Sequence, residues 1–211
     1  MISLSRELGE VYAQKLGDPV RAIAAYQRLV EHAPDDVRAL KELDALLAEQ
    51  DRSEELAGVL EARVPLAASE REKATLLLRL AALLEERLDR PEDAIERLEA
   101  VVGIDATNET ALGSLERLYQ GSKQWEELAR AYSLHLEATE DPDVQLGLYR
   151  ELAEVQLERL DDPNLAIETL ESAKKIDPTD VAVLDGLATL FEAVESWQQA
   201  KDTLDRLVLL A

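Results

Sequence analysis

From Ser69 onward, apolar residues recur at three- and four-residue intervals. Leu77, Leu80, Ala81, Leu84 and Leu88 form one helical stripe, preceded by Ser69-Glu70-Arg71-Glu72 with the spacing of a capping box. Asp89-Arg90-Pro91 predicts the end of that helix, because proline cannot continue it but suits the first turn of the next, where no N–H is needed. A second stripe follows in Ala94, Ile95, Leu98, Val101 and Val102. Asp105-Ala106-Thr107-Asn108 supplies turn and cap residues, and Ala111, Leu112, Leu115, Leu118 and Tyr119 mark a third helix that ends before Gly121-Ser122. A fourth is predicted from about Gln124 to Ala138.

The same pattern occurs before and after this stretch. "ERLDRPEDAIERLE" at 86–99 returns as "ERLDDPNLAIETLE" at 158–171, and 12 of the 23 positions from 80 to 102 are identical to their counterparts at 152–174 without a gap. Pro19, Pro91 and Pro163 share this 72-residue register, as do the Ala-Ile pairs at 22, 94 and 166. So do the segments that begin at Ser53, Trp125 and Trp197. Each 72-residue copy holds two helix-turn-helix units too small to bury an apolar stripe alone, so neighbours must stack. The expectation is an all-α, solenoid protein: a single repeat domain of about six stacked helix-turn-helix repeats, arranged as three 72-residue double repeats, near 2–36, 37–73, 74–108, 109–145, 146–180 and 181–211.

In this register the residues resemble the tetratricopeptide repeats. The first unit offers Leu8-Gly9, Tyr12, Ala22, Tyr26 and Pro34, with one residue more than usual between its helices. The fifth keeps Leu152-Ala153, Ala166, Ala173 and Pro178, with Gln156 and Leu170 at the aromatic positions. In the even units Leu43, Leu115 and Leu187 stand at the family leucine, and Leu47, Tyr119 and Phe191 at the aromatic; the third has Ala81 and Ala106 in place of glycine and proline. The resemblance implies a right-handed superhelix whose concave face, lined mainly by the first helices, holds a peptide or a partner's helix. One subset of the family clamps acidic chaperone tails with inward Lys and Asn side chains. Here the only asparagines, Asn108 and Asn164, sit at helix starts, so that ligand is not carried over.

Charge narrows the partner class. Asp and Glu number 45 against 23 Lys and Arg, a formal net charge of −22, which repels phosphate backbones and anionic lipid surfaces. Nucleic acid and membrane are not expected partners. No apolar run approaches the length of a membrane span, and the N-terminus lacks a signal-peptide pattern. The compartment stays unassigned, with the cytoplasm favoured. No cysteine is present, which removes disulfides and thiolate metal sites.

By register, the inward positions of the first helices include Arg6, Glu10, Lys41, Arg79, Arg117, Arg150, Glu151 and Glu154. Such a face can grip carboxylates through its arginines or offer its glutamates to a basic segment, and the total charge favours the second; the alternative is a face that is merely solvated. Trp125 and Trp197 read as inter-helix packing residues. His32 and His135, far apart along the chain, read as structural, with no second group for metal ligation or base catalysis. The acidic pairs Asp35-Asp36, Glu85-Glu86 and Asp161-Asp162 read as helix-start acids or divergent neighbours, and Asp177–Asp185 lacks the glycine and glutamate of a calcium loop. No phosphate loop, serine elbow or His-Glu zinc pattern occurs, so neither a cofactor nor catalysis is expected.

The last segment closes on Leu204, Leu207 and Leu210 without a polar capping helix, whereas a terminal repeat needs a polar outer face. The expectation is a piece of a longer protein. The functional expectation is a non-catalytic scaffold that binds a protein or peptide with a basic or apolar segment on its concave face. The competing reading is an architectural spacer or self-assembling element joined through Leu204, Leu207 and Leu210.

Overall fold

The computed structural model describes residues 2–210 of the chain. They form helices and turns, with no strand among them. The helices fall into two compact units, divided between Ile104 and Asp105. The first holds α1 (Ile2–Val11), α2 (Pro19–His32), α3 (Val37–Glu49), α4 (Ser53–Arg63), α5 (Glu70–Glu86) and α6 (Pro91–Ile104). The second holds α7 (Glu109–Ser122), α8 (Trp125–Ala138), α9 (Pro142–Glu158), α10 (Pro163–Ile176), α11 (Val181–Ala193) and α12 (Trp197–Leu210). In each unit, successive helices pack as pairs: α1 on α2, α3 on α4 and α5 on α6, then α7 on α8, α9 on α10 and α11 on α12. Within a unit, each pair is joined to the next by its second helix, which packs on the following first helix: α2 on α3, α4 on α5, α8 on α9 and α10 on α11.

Helix starts follow the polar punctuation. Asp36, Asn108 and Asp180, which occupy one place in successive copies of the repeat, each accept a backbone N–H three residues on, at 3.1, 3.0 and 2.8 Å. Ser69 does the same for Glu72, whose carboxylate reaches back to the Ala68 N–H. Asp18 and Asp162 cap α2 and α10, each helix beginning with proline.

Every turn within a helix pair is closed by one left-handed residue: Gly17, Asp51, Asp89, Lys123, Asp161 and Glu195, all with φ between 53° and 61°. Two turn widths alternate. After Gly17, Asp89 and Asp161 the next N–H returns six residues, to Tyr12, Leu84 and Gln156; after Asp51, Lys123 and Glu195 it returns five, to Leu47, Tyr119 and Phe191. The wider turn takes up the extra residue seen between the helices of the first unit, where Tyr12–Leu16 also widens into a π-helical turn. Glycine fills only the first of the six left-handed positions, and side chains are strained there by about 1–2 kcal/mol in general. Lys123→Gly and Glu195→Gly are therefore expected each to raise stability by about 0.5–1 kcal/mol, net of glycine's entropic cost. The check is a higher urea midpoint at unchanged slope; an unmoved or lowered midpoint would show that these turns are unstrained.

In the first pair, Gly9 lies under the buried ring of Tyr26. A Cβ added at Gly9 would stand 2.7–2.9 Å from three ring atoms, so only glycine lets α1 approach α2 this closely. In the second unit the core gathers Leu146, Ala166, Leu170, Val183, Leu187 and Phe191 from α9, α10 and α11.

Candidate functional site

The first helices of the two units carry the charged residues singled out by register, and the units use them differently. In the first unit these charges are engaged between successive helices. Arg6 of α1 pairs with Asp36 at the start of α3, and Glu10 accepts from Arg38 at 2.7 Å. Lys41 of α3 stands 3.7 Å from Glu72 of α5. Arg79 of α5 grips both carboxylate oxygens of Asp44 at 2.8 and 2.9 Å, while Arg63 of α4 bonds the same carboxylate from the buried side. Asp44 and Arg63 are both buried, and burial of each is compensated by the other. Burial raises the Asp36 carboxyl, but the Ala39 N–H and the Arg6 guanidinium outweigh it and hold the group below the usual range.

The second unit leaves its α9 acids facing open space. Glu151 and Glu154 are exposed, Arg117 is exposed on α7, and Arg150 is exposed with its Nε donating to the Leu146 carbonyl at 3.2 Å. Two cavities adjoin α9 and share Glu154 as a wall. The first, about 220 Å³, lies among α7, α8 and α9, and Gln120, Trp125, Tyr132, Glu151, Val155, Glu158 and Arg159 complete its lining. Arg159 stacks over the Trp125 indole with its guanidinium carbon 4.9 Å from the ring centroid. Burial and the neighbouring Glu151 carboxylate push the Tyr132 hydroxyl pKa well up, so it stays a neutral donor to that acid. The second cavity, about 260 Å³, runs between α9 and α11 over Leu170 of α10, with Ala153, Leu157 and Leu190 for walls and Arg150 at its edge. Gly186 borders it, and a Cβ there would meet Leu170 Cδ1 at 2.8 Å. An acidic recess with an indole wall thus abuts an aliphatic one.

Some of these features lie outside the sequence expectations. His135, read as having no second group, lies 2.7 Å from Glu116 across the α7–α8 pair. Burial raises the Glu116 carboxyl pKa, His135 draws it down, and Glu151 adds to the rise. Trp197, expected to pack between helices, is instead 64% exposed, because no helix follows α12 among the described residues; its counterpart Trp125 is half-buried beside α9. His32 is exposed, with its Nδ1 2.9 Å from the Arg28 carbonyl. Leu204 and Leu210 are exposed and Leu207 half-buried on α12. Among the described residues, no group of three His, Cys, Asp or Glu is placed to hold a metal ion, and no helix is long and apolar enough to cross a membrane.

Comparison with known proteins gives two family matches. One tetratricopeptide-repeat model covers residues 7–36 and a second covers residues 111–146. No curated protein matches the chain. Among solved structures, a MamA protein is 17% identical with a TM-score of 0.48, covering 99% of this chain and 91% of its own. BtubC (BKLC) from P. vanneervenii is 18% identical with a TM-score of 0.44, over 94% of this chain and 90% of its own. YrrB, described as a TPR protein with an unusual peptide-binding site, is 15% identical with a TM-score of 0.47, over 86% and 89%. Both matched segments fall on packed helix pairs, α1–α2 and α7–α8, and support a tetratricopeptide-repeat assignment.

Proposed function

We propose that the protein is a non-catalytic interaction scaffold that receives a peptide segment of a partner protein on the first-helix face of its second unit, the concave face of the repeat. The observation that carries this reading is the pair of adjoining cavities divided by Glu154. The acidic recess, where Glu151, Glu154 and Glu158 outnumber the one lining cation, Arg159, which stacks on Trp125, suits a Lys or Arg head whose charge meets the carboxylates. The neighbouring recess among Ala153, Leu157, Leu170 and Leu190 suits an aliphatic side chain of leucine size. A partner segment with a basic residue close to an aliphatic one answers both, and the net charge of −22 draws such a segment in. In the first unit the matching charges are engaged by Asp36, Arg38, Asp44 and Glu72, which directs the proposal to the second.

The test is a displayed random-peptide selection on the parent protein, counter-selected on Glu151→Lys/Glu154→Lys. The expected result is enrichment of segments pairing Lys or Arg with Leu, Ile or Met, whose affinity falls at least about tenfold on the double variant and by under twofold on the outward control Glu168→Lys. No enrichment, or equal loss on Glu168→Lys, would refute groove recognition. Affinity should also fall as salt rises, since the acidic recess acts through exposed charges.

A further inference from the structure

The recess between α9 and α11 has a counterpart in the first unit, and there it is filled. Two copies earlier in the register, Arg6, Gly9 and Glu10 of α1 stand at the places of Arg150, Ala153 and Glu154, and Tyr26 of α2 at that of Leu170. On α3, Arg38 and Glu42 take the places of Ala182 and Gly186. The Tyr26 ring is 1% exposed against Gly9, and the charges acting on its hydroxyl are those of Glu42, Glu10, Arg38 and Arg6. Arg38 reaches from α3 to Glu10 of α1 and donates to it at 2.7 Å.

In the second unit the same places are emptied. Ala182 ends at its Cβ, so Glu154 has no ion pair corresponding to Glu10–Arg38. Gly186 carries nothing where Glu42 carries a side chain, and an atom added there would enter the hollow against Leu170 Cδ1 at 2.8 Å. Nor does the chain supply a ring of its own: Leu170 replaces the tyrosine, and Ala153 has a Cβ where an added one at Gly9 would stand 2.7–2.9 Å from the Tyr26 ring. What is left is the hollow of about 260 Å³ with Ala153, Leu157 and Leu190 for walls and Glu154 beside it.

Resting on the peptide binding proposed above, we propose that Ala182 and Gly186 are the specificity-determining residues of this site. Gly186 opens the room that admits an aliphatic side chain, and Ala182 leaves Glu154 for a cation that the partner must bring. The partner thus supplies from outside the two elements that α2 and α3 supply within the first unit, an apolar group over the second helix and a positive charge on the α9 glutamate. The methyl of Ala153 narrows the space relative to that of Tyr26, which favours a leucine-sized group over a ring.

The chain has no cysteine, so one introduced thiol is a local probe. Thr189→Cys, at an exposed position on the wall of the hollow, is equilibrated with an equal mixture of three disulfides, those of leucyl-cysteamine, N-acetyl-leucyl-cysteamine and glycyl-cysteamine, and the adducts are weighed by mass spectrometry. The leucyl adduct is expected to exceed the glycyl adduct at least about fivefold, through burial of its isobutyl group, and the acetylated one about threefold, through its free ammonium. Added Gly186→Leu should abolish the first preference and added Ala182→Arg the second, each variant keeping the parent's helical circular dichroism. Equal adducts on the Cys variant, or preferences that survive both additions, overturn the inference. The peptides selected on the parent separate this result from the function it rests on. If they bind Ala182→Arg and Gly186→Leu within twofold of the parent, peptide binding stands and the role of these two residues falls. If the adduct preferences appear as expected but no peptide is enriched, the specificity of the hollow stands and peptide binding falls.

Discussion

Asp44→Ala is expected to cost about 3–5 kcal/mol, the largest single loss we foresee in this chain. The carboxylate is 5% exposed and holds two guanidinium groups, Arg63 of α4 from within and Arg79 of α5 from the rim. Arg79 can turn to water when its partner is removed, because half of its side chain is exposed; Arg63, at 9%, cannot. The loss is therefore mainly that of a buried cation left without a counter-charge. Two comparisons separate this cause from lost packing. Arg79→Ala should cost no more than about 1 kcal/mol, and Asp44→Leu/Arg63→Met should recover most of the stability, since replacing a buried ion pair by apolar groups of like volume is often neutral. Urea denaturation of the four proteins measures all of it. A loss below about 1 kcal/mol for Asp44→Ala would mean that water reaches Arg63 and that α3 and α4 are not locked by this pair.

Overpacking at Gly9 should follow in size. Gly9→Val is expected to destabilise by about 2–3 kcal/mol, because its Cβ would stand 2.7–2.9 Å from the Tyr26 ring and that ring is 1% exposed with nowhere to move. The effect is a coupling between two residues, so it should shrink when the ring is gone. In a Tyr26→Leu background the same change should cost less than half as much, and the double-mutant cycle reads the interaction directly. Equal costs in both backgrounds would place the strain in α1 itself. Gly186→Ala makes a useful contrast: its close neighbour is the mobile end of Leu170, beside a cavity, and a loss under about 1 kcal/mol is expected.

The 72-residue shift that aligns Pro19, Pro91 and Pro163 also aligns the two sets of left-handed turn residues and the capping residues Asp36, Asn108 and Asp180. The prolines, caps and stripes were legible because each is decided within a few residues, a side chain capping an N–H three positions on, a proline opening a helix and a stripe recurring every three or four residues; the left-handed turns were seen only in the structure. Asp44 was legible too, though overlooked. It lies beside Leu43 on the apolar stripe of α3, and an acid there calls for a buried partner. That the partner is Arg63, 19 residues away, follows only from the packing of α4.

The sequence by itself determined that this chain folds into helices opened by cap residues and prolines, because helix and turn preferences act over short spans, and its own pattern recurs at 72 residues. Only the tertiary structure decided how the charges are used. Arg6, Glu10, Lys41 and Arg79 look like Arg150, Glu151 and Glu154 in the sequence, yet the first group is drawn into pairs across neighbouring helices while the α9 acids border two cavities. Equivalent positions likewise diverge with their neighbours: Trp125 is shielded by α9, and Trp197 stands in water because no described helix packs over that side of α12. Burial and ion pairing are set by what a helix packs against, and in this fold that neighbour belongs to another helix, beyond the reach of any local pattern: Asp36 for Arg6, and Asp44 for both Arg63 and Arg79.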